Sequence, residues 1–443
     1  MILLKRMFFV TLLFFGSTVH AALQIQTWSL DNGARVFFVE NHSIPILDVS
    51  VEFDAGSRRD PAGKAGTASL TNAMMGRGLA EARLADGAIE PAMTESQLSD
   101  AFADIAAQSG GGAGADKAGT SLRTLSSTAE RRQAVQLLAR SLAHPSFPAD
   151  FLARDKARVI ANLREELTKP EAIADKAFWQ AAYRGHPYAN VATVESVDAV
   201  ARDDLVTFHR NHYVANRAVI AMIGAISRSE AEAIAHELTR RLPQGSPLPM
   251  LPAVMAGAGE DIRIAHPATQ SHILVGMPSV AYGDPDWFAL RVGNYVLGGG
   301  GFVSRMMQEV REKRGLAYGA YSYFAPMAQQ GPFQISLQTQ KQQTDQALGV
   351  ANDVLSRFLK EGPTDKEIQA AKDNLIGGFP LIIDNNRKIL GQIAAIGYYG
   401  LPLNYLDTWT ANIAKVTAAD IRRAFNRKLA LDQMTTVVVG AEK

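Results

Sequence analysis

The chain has 443 residues, 47% of them hydrophobic and 20% charged, the balance of a soluble globular protein too long for one ordinary core. Its 45 basic and 44 acidic residues nearly cancel, which removes the electrostatic reason to expect nucleic acid or an anionic membrane as partner. With no cysteine, the chain has neither disulfides nor thiolate metal ligands.

Residues 1–21, MILLKRMFFVTLLFFGSTVHA, place Lys5 and Arg6 before an apolar run from Met7 to Phe15 and a small-residue ending at Ala21. That is the layout of a secretory signal peptide, and the run is short for a membrane span. An uncleaved anchor is the other reading. The expectation is a chain exported to the periplasm, starting near Ala22 and free of the membrane after cleavage.

The segment 22–242 opens with a hairpin pattern, LQIQTWSL and ARVFFVE flanking Asn32-Gly33. ILDVSVEFDAGS (46–57) alternates again, and GTASLTNAMMGRG (66–78) reads as a short helix. SGGGAGADKAGT (109–120) reads as a flexible, linker-like loop before the strand SLRTLSS. ERRQAVQLLARSLAH, FLARDKARVIANLREEL and DDLVTFHRNHY read as helices, and AVIAMIGAI as a buried strand. Residues 243–261, with four prolines and three glycines, form a linker. The segment 262–443 then repeats the order: SHILVGMPS as strand, DWFALRVGNYVLG as helix, GPFQISLQTQ as strand, long helices, and TTVVVGA as strand.

The repetition is more than a likeness of order. Val200 pairs with Val416, Asp204 with Asp420, Leu205 with Ile421 and Gly224 with Gly440 at one constant offset, which also pairs Leu138 with Val354 and Lys156 with Lys372. Two homologous halves follow. Helices segregated from mainly antiparallel strands make the expected fold class α+β, each half a sheet covered by helices.

Few residues are placed for chemistry. Among the histidines only His209 and His212 have ligand-like spacing, and no carboxylate joins them, so a structural role is expected. There is no G-x-S-x-G elbow, and GGGGFVSR lacks the Lys-Ser/Thr of a phosphate-binding loop. The remaining feature is LGGGGFVSRMMQEVREKRGLAYGAYS (297–322). It reads as a helix from Ser304 to Lys313 with Gly315 as its C-cap, and with Arg311 seven residues before Tyr318. Near a cleft, that Arg and Tyr could both donate hydrogen bonds to a polarised carbonyl. Gly299, Gly300 and Gly301 either let peptide backbone approach closely or form the turn that launches the helix.

The two-copy layout, with F-x-S-R-M and R-E-K-R-G-L-A-Y after a glycine run, resembles the insulinase–pitrilysin family of inverted-motif zinc peptidases, relatives of the mitochondrial processing peptidase. The resemblance covers essentially the whole chain after residue 21. It implies two halves forming a clamshell around a peptide chamber. It also implies zinc on H-x-x-E-H plus a distant Glu in the first half of a catalytic chain. An Arg and a Tyr from a second half would bind substrate and its tetrahedral intermediate; here those positions are Arg311 and Tyr318. The zinc motif departs from the pattern. Ser69 and Ala73 stand where the two His belong, Asn72 where the general-base Glu belongs, and Asn162 at the third ligand. That set implies no metal and no cofactor bound by this chain. The function implied is the non-catalytic subunit of a heterodimeric zinc peptidase, inactive alone, acting on peptides beside a homologous zinc-binding partner. The alternatives are a structural or peptide-binding pseudopeptidase with no part in catalysis, or a hydrolase with an unrecognised nucleophile.

Overall fold

The alternating segments pair into two sheets of closely similar topology. The computed structural model describes residues 23–84, 87–255 and 257–440; the expected signal peptide lies outside them. In the first half, strands β1 (Gln26–Ser29), β2 (Arg35–Glu40), β3 (Ile46–Phe53), β4 (Gln108–Ala113), β5 (Ala118–Leu125) and β6 (Val219–Gly224) lie in the order β1-β2-β6-β3-β5-β4. Every pairing in this sheet is antiparallel except β2 with β6. In the second half, β7 (Asp261–Ile264), β8 (Gln270–Val280), β9 (Ala317–Phe324), β10 (Gly331–Gln340) and β11 (Thr435–Val439) follow the order β7-β11-β8-β10-β9. Here too a single parallel pair, β7 with β11, sits beside antiparallel ones. The edge strands β4 and β9 therefore occupy corresponding places.

One expectation is corrected at β4. The glycine-rich stretch is no loop: it pairs with β5 from Gln108↔Arg123 to Ala113↔Ala118. Glycine alone disfavours a strand, but the ladder to β5 overrides propensity. Crowding also calls for glycine, since a Cβ at Gly111 would lie 2.8 Å from the Gly119 carbonyl and 2.9 Å from Asn72 Oδ1.

The longer helices of the first half are α1 (Thr67–Met74), α2 (Glu95–Ala103), α3 (Thr128–Ala143), α4 (Ala149–Glu166), α5 (Pro170–Ala182), α6 (Arg202–His212) and α7 (Arg228–Thr239). Those of the second are α8 (Trp287–Asn294), α9 (Thr344–Glu361), α10 (Asp365–Gly378), α11 (Asn386–Tyr399), α12 (Tyr405–Lys415) and α13 (Ala418–Lys428). Sequence explains their starts and faces. Capping boxes at Thr94, Ser227, Thr364 and Thr417 satisfy orphan N–H groups at four of them. α9 buries Ala347, Leu348, Ala351, Val354, Leu355, Phe358 and Leu359, the helical spacing of one apolar face.

Each half lends one helix to the other. α11 lays Ile389, Leu390, Ile393 and Ala394 on Phe37, Val39, Val219, Ala221 and Ile223 of the first sheet. α5 packs Ala174, Phe178 and Ala182 against Val437 and Val439 of the second. Close approach requires glycine at Gly397, where a Cβ would meet the Phe37 ring at 2.6 Å. A polar hub fastens the same boundary. Buried Asp116, in the β4–β5 turn, accepts from Arg58 Nη1 at 2.7 Å, the Ala328 N–H at 2.8 Å and Tyr399 Oη at 3.1 Å, and also from the Tyr188 hydroxyl. Tyr398 Oη donates to its carbonyl at 2.8 Å. A buried carboxylate survives on such multiple, charge-assisted bonding.

Candidate functional site

Two places correspond to the residues singled out in the sequence, one on each half. The first is α1. Its N-terminus is held by Asp60, whose carboxylate accepts from the Gly66 and Ala68 N–H groups, each at 2.7 Å. Burial raises the Asp60 pKa to about 6, against those two bonds. Ser69 and Ala73 are both exposed, one helical turn apart and so on a common face. Asn72 is turned inward and buried, its Nδ2 donating to the Gly119 carbonyl at 2.9 Å and to Tyr213 Oη at 3.2 Å. Asn162 is exposed on α4.

These residues do not fit a zinc ion. Alanine has no donor atom, the Asn72 amide is spent on the backbone and a phenol, and a serine hydroxyl and a second amide are poor zinc ligands. No group of three His, Cys, Asp or Glu suited to a metal occurs among the described residues. The cleft itself persists, about 800 Å³ bounded by Asn72, Ala73, Arg77, Glu95, Phe102 and Gly111. Just after α1, the Arg77 guanidinium pairs with Glu95 on α2 and, at 3.1 Å, with buried Asp155 on α4. The histidines are structural: His209 Nε2 bonds the Leu142 carbonyl at 2.8 Å and His212 Nδ1 bonds that of Asp54 at 2.9 Å. Burial pushes the His209 pKa down to about 4.

The second place is the stretch 297–322. Its helix is not regular. α8 passes into a π-helical turn at Tyr295–Gly299, and Met307–Glu312 is π-helical again. Such turns carry an extra residue and recur at functional sites. Here the Lys313 N–H reaches the Gln308 carbonyl at 3.0 Å, Gly315 reaches Arg311 at 2.7 Å and Leu316 reaches Val310 at 2.9 Å. Gly315, at φ +62°, ends the helix as its sequence position suggests. The glycine run has internal reasons for its composition. A Cβ at Gly299 would lie 2.6 Å from Asn294 Nδ2, and one at Gly300 2.6 Å from the Tyr295 carbonyl, whereas Gly301, at φ +61°, faces open space.

Arg311 and Tyr318 are brought together. The guanidinium carbon lies 4.9 Å from the Tyr318 ring centre and 4.8 Å from that of Phe302, so the charge sits against two aromatic rings. Among the described residues its one ionic neighbour is Glu312 at 3.5 Å. The planar N–H fork is thus oriented while making no hydrogen bond among the described residues. Tyr318 is 81% exposed. It owes that to a shift in β9–β10 register between Ala317 and Ala320, which leaves Tyr318 and Gly319 unpaired and re-aims the side chain. The bulge also brings Tyr318 into one groove with Tyr321 and Tyr323, about 640 Å³, closed on the other side by Glu171 and Asp175 of α5. Phe302 and the groove were not assigned from sequence. The phenylalanine of F-x-S-R and the spacing Y-G-A-Y-S-Y were the available signals.

Comparison with known proteins bears on the family of the chain. A family model described as "Peptidase M16 inactive domain" matches residues 199–375. The crystal structure of a peptidase M16 inactive domain from Pseudomonas fluorescens superposes with a TM-score of 0.88 at 37% identity, covering 95% of this chain and 98% of that one. The non-peptidase homolog YmxG of Helicobacter pylori is 25% identical over 421 residues, 92% of each chain. An uncharacterized zinc protease of Streptomyces coelicolor is 31% identical over 239 residues, so this chain spans only about half, 52%, of that protein. Taken with the α1 residues that cannot bind zinc, these likenesses show that the chain belongs to the M16, insulinase-type peptidase family, as one of its inactive members.

Proposed function

We propose that this chain is the zinc-free subunit of a two-chain peptidase, exported to the periplasm. A homologous partner bearing H-x-x-E-H would hold the metal and supply the activated water. This chain would face the same chamber with Arg311 and Tyr318. As the scissile carbonyl gains negative charge, the Arg311 N–H groups and the Tyr318 hydroxyl donate to its oxygen. Donors already oriented cost no reorganisation at that moment. The observation that carries this reading is the pair itself: a guanidinium lying against Phe302 and an exposed tyrosine, with no hydrogen bond among the described residues. A structure retained only for packing has no need of that arrangement.

The test is reconstitution with the H-x-x-E-H subunit. The lone chain should cleave no peptide, and the pair should. Arg311→Ala and Tyr318→Phe should each assemble normally and lower turnover by about 10²–10³. Full activity of both variants in an intact complex would refute the assignment. The glycine-rich edge of β4 favours a second reading, because its outer side is unpaired within the sheet. It could take up an extended peptide by strand addition, with no part in catalysis. Peptide binding that survives in those fully active variants would select that reading.

A further inference from the structure

A pocket of about 690 Å³, away from α1 and from Arg311, lies between α8, α11 and α12. The size is that of small-molecule sites. Its walls are aromatic and aliphatic, with Trp287, Phe288, Phe379, Ile396 and Trp409 among them. Its charges do not balance. Asp284, on the rim, is paired with Lys428. Arg291, which projects from α8 into the same pocket, has no hydrogen bond and no carboxylate partner among the described residues. Arg291 is itself exposed to solvent. The surrounding protein nevertheless lowers its pKa by desolvation, with Tyr405 acting the other way. The half-buried amides of Gln392 and Asn412 line the pocket, also without partners among the described residues. An apolar cleft with one unpaired guanidinium and two free amides lacks an anion carried on an apolar body.

We propose that this pocket binds an amphipathic carboxylate, its acid group on Arg291 and its aromatic or aliphatic body between Trp287 and Trp409. A free small acid and the C-terminus of a peptide ending in an apolar residue share that chemistry. The site does not depend on the role proposed for Arg311 and Tyr318.

Trp287 and Trp409 provide the readout. The full chain is titrated with 4-phenylbutyrate and with 4-phenylbutanamide, following tryptophan fluorescence and binding heat. The acid should bind in the sub-millimolar range and at least about tenfold tighter than the amide, as a charge-assisted contact requires. Arg291→Met should remove that preference with the circular dichroism unchanged. Ala395→Phe, which fills the pocket, should weaken both ligands. A parallel arm uses acetyl-Ala-Ala-Ala-Phe with a free or an amidated C-terminus. Tighter binding of the free peptide than of phenylbutyrate identifies a chain terminus as the source, and weaker binding identifies a small acid. The proposal is overturned if neither acid binds, if acid and amide bind alike, or if Arg291→Met keeps the preference.

Discussion

Asn72 stands at the position of a general base and acts instead as a tie. Its amide joins the half-buried Gly119 carbonyl of β5 to the Tyr213 hydroxyl at the end of α6, with Asn72 and Tyr213 buried. Removing it leaves the buried Tyr213 hydroxyl and the half-buried Gly119 carbonyl without this donor, so Asn72→Ala should cost about 1–3 kcal/mol in urea unfolding. Asn72→Glu, the substitution that restores the family pattern, should cost at least as much, because a carboxylate has no donor for the Gly119 carbonyl. If Asn72→Glu proved neutral, the residue would not hold these acceptors as described. Arg77 makes the same point nearby. Its guanidinium, paired with Glu95 and Asp155, links three helices around the cleft where family members carry a cation of another kind.

At the scale of the element, α6 and α1 set opposite dependences on pH. His209 on α6 is neutral in the fold, its pKa pushed down to about 4 by burial from the usual 6.5. Its contribution is complete above pH 6.5 and is lost as the pH falls toward 4, a swing of about 3 kcal/mol. Asp60 at the start of α1 has its pKa raised from 3.8 to about 6, so its ionisation lowers stability as the pH rises through that range. His209→Gln keeps a neutral donor near Nε2 and removes the first effect. Urea denaturation of parent and variant at pH 4, 5, 6 and 7 should show the variant losing less stability than the parent on acidification below pH 6.5, by up to about 3 kcal/mol. An unchanged profile would mean that His209 takes up its proton in the fold at the ordinary pH. The helix after the glycine run shows a different lesson. Its residues predict a regular helix from Ser304 to Lys313, but Met307–Glu312 is π-helical. The widened turn follows from the docking of that segment on β9, which local propensity does not encode.

For the whole molecule the decisive feature is the exchange of α5 and α11 between halves, with Asp116 at its centre. Removing one partner of a buried charged pair leaves the other exposed to the low dielectric, so Asp116→Ala should cost about 3–5 kcal/mol. It should also loosen the boundary before the cores. Hydrogen exchange should rise first in α5, α11 and the β4–β5 turn, while β3 and β8 stay protected. Uniform loss of protection would show instead that the halves do not open separately. The exchange also bears on the groove beside Tyr318, because α5 supplies the wall opposite the tyrosines. The groove on the second half is therefore completed by the first.

Much of this was legible without coordinates. The constant offset between the halves, the period of the strands and helices, the substitutions at Ser69, Asn72 and Ala73, and the R-E-K-R-G-L-A-Y segment all lie in local pattern or in residue chemistry, which a sequence carries explicitly. What needed the tertiary structure were relations between distant segments. The glycines of 109–113 become a strand only because β5 pairs with them. Arg311 acquires its place only because a bulge turns Tyr318 toward it and Phe302 lies within reach as well. That Arg291 meets no carboxylate among the described residues depends on how distant segments pack around it. Composition and periodicity describe what each segment prefers by itself; which donors meet an acceptor, and which remain free, is decided only when the segments pack.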